Sequence, residues 1–218
     1  VDYYFEVAEM LSKARIKNHF IYSSWMYILV VAASIFVWDL VYTATAYRPP
    51  EDKKLELYVV DNPFVQEEQL QAHFNEVQQS LFPGIELIDV VKIISGGEQD
   101  YMTDIQLNTF VMANQGDVYI VGKERFKQFA SLGAFLPLDD YRVSGLLQTE
   151  GLQVEKGILS YSAEESVQKT ALFGIPLRDV PALQSYGIDT ENSYIAILYN
   201  NGNDENAVRM LNHLIHLK

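Results

Sequence analysis

His213 and His216 stand three residues apart near the C-terminus, a spacing that puts two imidazoles on one face of a helix and suggests metal ligation. The other histidines, His19 and His73, lie far away in sequence. With no cysteine in the chain and no matched acidic ligand nearby, no metal centre is expected. Asn200-Asn201-Gly202-Asn203-Asp204 offers a run of oxygen ligands of the kind that wraps calcium. It lacks the ligand order and the terminal bidentate Glu, and a turn followed by a helix cap accounts for it. Ser95-Gly96-Gly97 has neither the following Lys-Ser/Thr of a phosphate cradle nor a dinucleotide fingerprint. A Gly-X-Ser-X-Gly elbow and a zinc-protease helix are missing too. The expectation is a chain that is not an enzyme, with no catalytic residue and no cofactor.

Asp39 is the most pointed single residue, because of where it stands. Between Phe20 and Trp38 there is no charged residue, and an apolar run of about 19 residues covers roughly 28 Å as a helix, the thickness of a bilayer's hydrocarbon. Tyr22, Trp25 and Tyr27 mark one end and Trp38, Tyr42 and Tyr47 the other, as interfacial belts do. One transmembrane helix over residues 20–47 is expected. Lys13, Arg15 and Lys17 precede it and place the N-terminus in the cytoplasm, against a weaker signal from Arg48, Lys53 and Lys54. Ala44-Thr45-Ala46 offers only a faint cleavage motif. The chain opens on Val1 rather than Met, so a short stretch is expected before it.

A carboxylate inside the apolar slab needs a partner helix, whereas one at the interface needs only water, and the interface is the preferred reading for Asp39. Ala32-Ala33-Ser34 adds a patch of small residues on which another helix can pack. Asp39, Ala32, Ala33 and Ser34 are therefore the candidate contacts with an integral membrane partner. Residues 1–19 place Tyr4, Val7 and Leu11 on one helical face, suited to the inner leaflet or to a partner helix.

The rest of the 218 residues suffices for one domain with its own core. After Tyr47 there are 13 Lys plus Arg against 25 Asp plus Glu, a net of −12. Such a surface repels nucleic acid and anionic lipid, so no nucleic-acid partner is expected. Without cysteine there is no disulfide framework and no thiol nucleophile, and no Asn-X-Ser/Thr acceptor occurs. An acidic, cysteine-free, tethered exterior domain fits a bacterial plasma membrane, with the C-terminal domain extracytoplasmic.

Residues 48–54, with Pro49-Pro50 and a charge run, read as a stiff linker, and the domain is expected over 55–218. Leu55 to Val60 is a strand, stopped by Asp61-Asn62-Pro63. Leu70, Phe74, Val77 and Leu81 recur on one face of a helix closed by Pro83-Gly84. Ile85 to Ile94 is the second strand. Tyr101 to Ala113 is a helix with Met102, Ile105 and Met112 inward, and residues 117–121 are the third strand, followed by a short helix from Glu124 to Ser131. Beyond, residues 143–165 show no clear pattern, residues 171–176 and 194–198 are strand candidates, and Ala207, Met210, Leu211 and Leu214 line a last helix capped by Asn203 or Asp204. Alternation of strand and helix implies βαβ units and an α/β class with a mostly parallel sheet.

Taken in order, Leu81 to Leu87, Tyr101 to Val118 and Leu132-Gly133-Ala134-Phe135-Leu136-Pro137-Leu138-Asp139-Asp140-Tyr141 resemble the first lobe of bacterial extracellular solute-binding proteins, the receptors of ABC importers, chiefly the sugar-binding type. Leu172-Phe173-Gly174-Ile175-Pro176 is similar to the family's crossover segment near the hinge, and Tyr194 to Leu214 to its closing strand and helix. Pro176 is followed by only about 17 residues before the Tyr194 strand, which leaves no room for a second lobe there. The resemblance implies a single-lobe periplasmic-binding-protein-like fold, preceded here by one N-terminal transmembrane helix. It implies ligand-facing loops at the carboxyl ends of the strands, which puts Asp61, Asn62, Gly96, Gly97, Gly122 and Lys123 forward as ligand-binding candidates. ABC transporter subunits follow as the implied partner. The expected role is a membrane-anchored accessory subunit, with a tethered sugar or peptide receptor as the alternative.

Overall fold

The computed structural model describes residues 13–47, 49–94, 100–164, 167–199 and 202–217. The chain divides into two units, Val1–Arg48 and Pro49–Lys218. In the first, helix α1 (Lys13–Thr45) runs unbroken past Asp39. Its Ser24–Thr45 stretch is the one helix among the described residues long and apolar enough to cross a membrane. Its large apolar side chains, from Trp25 to Tyr42, stand exposed. The hydroxyls of Ser24, Ser34 and Thr45 donate to the carbonyls of Ile21, Val30 and Val41 at 3.2, 2.8 and 2.7 Å, so the helix satisfies these three hydroxyls itself. The amphipathic face expected from Tyr4, Val7 and Leu11 lies outside the described residues.

The second unit carries strands β1 (Lys54–Val60), β2 (Leu87–Ile93), β3 (Val118–Gly122), β4 (Ile158–Glu164), β5 (Val167–Leu172), β6 (Gly174–Pro176) and β7 (Ser193–Ile197). Its helices are α2 (Glu67–Leu81), α3 (Asp100–Met112), α4 (Lys123–Ser131), α5 (Asp139–Val143) and α6 (Asp204–Ile215). The main sheet has the order β2-β1-β3-β7-β6, with β4 and β5 forming a separate hairpin. β1 pairs parallel with β2 and β3, while β7 pairs antiparallel with β3 and β6. The sheet is therefore parallel on one side and antiparallel on the other, rather than mostly parallel. The βαβ alternation marks only the parallel half, since β6 and β7 are linked by 3-10 turns (Leu177–Asp179 and Pro181–Tyr186) instead of a crossover helix.

Strand residues alternate between two cores. Leu55, Leu57 and Val59 of β1, Val118 and Ile120 of β3, and Ile195 and Ile197 of β7 join Leu70 and Phe74 of α2 and six residues of α6, among them Ala207 and Leu214. Tyr58, Val60, Tyr119, Val121, Tyr194 and Ala196 face the other way, onto Leu107 and Val111 of α3 and Phe126 and Phe129 of α4. Both faces of the sheet are thus covered, as parallel strands require. The α3 residues expected inward are exposed, Met102 at 64% and Met112 at 86%, and Ile105 points outward with them. Thr103, Leu107 and Val111 take their place, because α3 is apolar on more than one side and the sheet decides which side is buried.

The linker expected over 48–54 is shorter. Residues 51–53 form a 3-10 turn, Lys53 pairs with Glu86 at 2.6 Å, and Lys54 is already in β1. Asn203 stands at the N-cap of α6, but no side-chain cap bond forms there. Its amide donates to the Lys54 carbonyl at 2.8 Å and so ties α6 to β1. Close by, the buried Asp117 accepts the Glu56 backbone N–H at 2.6 Å. Desolvation pushes its carboxyl up to about 7 against that bond, with the charges of Glu56 and Glu51 acting in the same direction as burial.

Two predictions follow from these contacts. A Cβ on Gly157 would stand 1.8 Å from the Gly174 carbonyl oxygen, so Gly157→Ala is expected to destabilise the fold by about 3 kcal/mol, read from the urea midpoint. Folded Asp117 holds a proton that the unfolded chain releases near its ordinary carboxylate value. Its contribution to stability is present below about pH 4 and is lost as pH rises to about 7. Asp117→Asn keeps the acceptor and removes the titration. Between pH 5 and pH 8 its stability relative to wild type should rise by up to about 3 kcal/mol, and equal pH slopes would contradict the assignment.

Candidate functional site

The chain leaves β1 for the edge strand β2, then returns through α3 to β3 on the other side of β1. The connections diverge at the carboxyl ends of β1 and β3, the switch point at which open α/β sheets leave a crevice. A cavity of about 700 Å³ opens there, lined among others by Asp61, Asp104, Lys123, Arg125 and Asn192.

Arg125, in the first turn of α4, organises it. Its Nη1 donates to Asp61 Oδ1, while Nη2 and Nε both donate to Asp104 Oδ1, at 2.6 and 3.1 Å. One guanidinium thus ties the end of β1 to α3, a bridge that a single ammonium cannot reproduce. Burial pulls its pKa below the ordinary guanidinium value. The next residue, Phe126, lies flat against Tyr194 of β7 at a centroid distance of 4.4 Å and 6° between planes, which seats the first turn of α4 on the sheet. Lys123 donates its backbone N–H to the Asn192 carbonyl at 2.8 Å and closes the far side of the crevice.

Asp61 has a left-handed backbone, φ 62°, which Asp tolerates better than most residues. That turn sends its carboxylate to the rim and the next side chain inward. Asn62 is buried at 1% exposure; its amide donates to the Val60 carbonyl at 2.8 Å and its Oδ1 accepts the Asp189 N–H at 2.7 Å. Asn62, expected as a ligand contact, instead pins the loop, because a buried amide must spend its polar atoms on the protein. Gly122 borders the cavity because a Cβ there would stand 3.0 Å from Asp61 Oδ2. Lys123 lies exposed on the rim. The structure thus brings Asp61, Gly122 and Lys123 together, and Gly96 and Gly97 lie outside the described residues. Arg125, Asp104 and Asn192 escaped the sequence reading. Only Arg125 carried a signal, as a cation in a first helical turn, where the helix dipole disfavours it.

In the first unit, Ala33 and Ser34 share a shallow apolar groove with Leu29, Val30, Val37 and Trp38. Ala32 and Asp39 lie off that groove. Among the described residues His213 meets His73, Nε2 to Nε2 at 2.9 Å, rather than joining His216, and no group of three metal-binding side chains occurs.

No family profile matches the sequence, and no curated protein matches it. The chain is similar to bacterial extracellular solute-binding proteins of ABC transporters, over about a quarter of their length in two cases. An extracellular solute-binding protein family 1 member from Alicyclobacillus acidocaldarius matches 56% of this chain at 18% identity and a TM-score of 0.36. An ABC transporter solute-binding protein from Agrobacterium vitis, solved with D-mannitol, matches 57% at 18% identity and a TM-score of 0.36. In both, this chain spans 27% of the other's length. The Agrobacterium tumefaciens protein AttC, in an open unliganded conformation, matches 75% of this chain and 79% of its own at 12% identity and a TM-score of 0.42.

Arg125→Ala would leave Asp61 and Asp104 facing each other without their shared cation. A loss of about 1–2 kcal/mol in unfolding free energy is expected, with Arg125→Lys recovering less than half of it. An unchanged denaturation midpoint in Arg125→Ala would show that the bridge carries no stability.

Proposed function

We propose that this chain is a membrane-anchored accessory subunit of a bacterial envelope complex, an ABC transporter in the first instance, which acts by binding a membrane protein partner. The observation that carries this reading is the character of the crevice at the ends of β1 and β3. It is open to solvent and its lining is charged, with Arg125 held by the protein's own carboxylates. Small-molecule pockets enclose most of a ligand within largely apolar walls that carry a few convergent polar groups. An open rim of fixed charges instead suits a protein surface of complementary charge. The apolar Ser24–Thr45 helix supplies the anchor in this reading, single-pass with the N-terminus cytoplasmic, and the groove around Ala33 and Ser34 supplies a seat for a partner helix.

A second reading is a tethered solute receptor whose crevice is completed by another chain. The volume of about 700 Å³ favours it, since that is the size of a small-ligand site. Exposed Lys123 would then face the solute.

Purification of the full chain from its native membrane in mild detergent, with mass spectrometry of what stays bound, separates the two. Permease and ATPase subunits in fixed ratio are expected, and Lys123→Glu should reduce their recovery about tenfold. Recovery of the chain alone, together with saturable binding of an oligosaccharide or peptide, would replace the first reading by the second.

A further inference from the structure

A second cavity, of about 630 Å³, shares no residue with the crevice. It lies between the end of α2 and the outer face of α6, where Arg209, Asn212 and His216 follow one another at helical spacing, and Leu81 and Leu146 form its apolar side. No carboxylate lines it, although the segment after Tyr47 carries a net charge of −12. Among the described residues Arg209 makes no ion pair, whereas Lys53, Lys54, Arg125 and Arg178 each hold a carboxylate.

The hydrogen bonds around it leave donors pointing to the cavity's occupant. Asn212 Oδ1 accepts the Gln148 N–H at 2.9 Å, which fixes the amide and leaves its NH2 without a partner among the described residues. The Asn212 carbonyl, an acceptor only, receives His216 Nδ1–H at 2.8 Å. That bond sets the tautomer, with the ring proton on Nδ1. His213 is different. Its Nε2 lies 2.9 Å from that of His73, the ring centroids are 5.2 Å apart and the planes differ by 11°. These distances put the two rings edge to edge, one donating and one accepting, so no second proton fits between them. Burial and then the charge of His73 both lower the His213 pKa. Tyr186, 5.9 Å from the His73 ring, closes the far side of the pair. His213 is thus taken up by His73, and His216 lies exposed beside Arg209.

We propose that this cavity binds a small carboxylate with an apolar arm, the carboxylate on Arg209 and the Asn212 amide, and the arm on Leu81 and Leu146.

The test uses the full chain in detergent micelles, with benzoate as probe, benzyl alcohol as neutral control, and the His216 ring signal followed by NMR. Benzoate is expected to bind saturably, with benzyl alcohol inert. Arg209→Gln, an exposed position, should weaken binding about tenfold. Equal binding of benzyl alcohol, an unaffected Arg209→Gln variant, or no saturable shift at His216 would each overturn the proposal.

Discussion

The strand β1 has no wet face, and much of the domain follows from keeping it dry. Leu55, Leu57 and Val59 enter one core while Tyr58 and Val60 enter the other, so helices must cover both sides of the sheet. The right-handed crossover supplies them. The step from β1 to β2 and the step from β2 back to β3 run in opposite directions across the sheet, which puts α2 on one face and α3 on the other. The same reversal parts the connections at the carboxyl ends of β1 and β3. A cavity there is a consequence of the topology before any side chain is specified.

What fills that cavity depends on single-residue geometry. Asp61 and Asn62 are neighbours of similar size, yet the left-handed turn at Asp61 sends one to the rim and the other into the core. Arg125 reaches Asp61 because Phe126, packed on Tyr194, seats the first turn of α4 against β7. The polar rim therefore rests on an aromatic stack in the core, and the two cannot be tuned independently.

How legible this was in the sequence varied with the kind of evidence each element left. β1, α2, β3 and α6 carry clear patterns, and Leu70, Phe74, Met210 and Leu214, expected inward, are buried, while Leu81 at the end of α2 is exposed. Helix α3 misled because its Met and Ile residues are as apolar as Leu107 and Val111, so only the position of the sheet distinguishes the faces. The β4–β5 hairpin was only partly legible, at residues 171 and 172, since Ser160 and Thr170 interrupt its apolar residues and the pair lies apart from the main sheet. At the site, turn chemistry exposed Asp61 and Gly122, but the partners of Arg125 lie 64 and 21 residues away in sequence, and His73 lies 140 residues from His213. No local spacing encodes such pairs.

The helix α1 poses the opposite problem, because almost everything about it is local. The hydroxyls of Ser24, Ser34 and Thr45 are bonded to its own carbonyls, so the backbone and these side chains require nothing from a neighbour. In hydrocarbon there is no hydrophobic gain in bringing two such helices together, and association rests on close packing and on any polar group left over. Ala33 and Ser34 provide the packing, as the floor of a groove walled by Leu29, Val37 and Trp38. Asp39 provides the polar group, but away from that groove. A single partner helix seated at Ala33 therefore does not also neutralise Asp39. Under the proposed anchoring, Asp39 is left to interfacial water, and the groove alone sets the geometry of the partner.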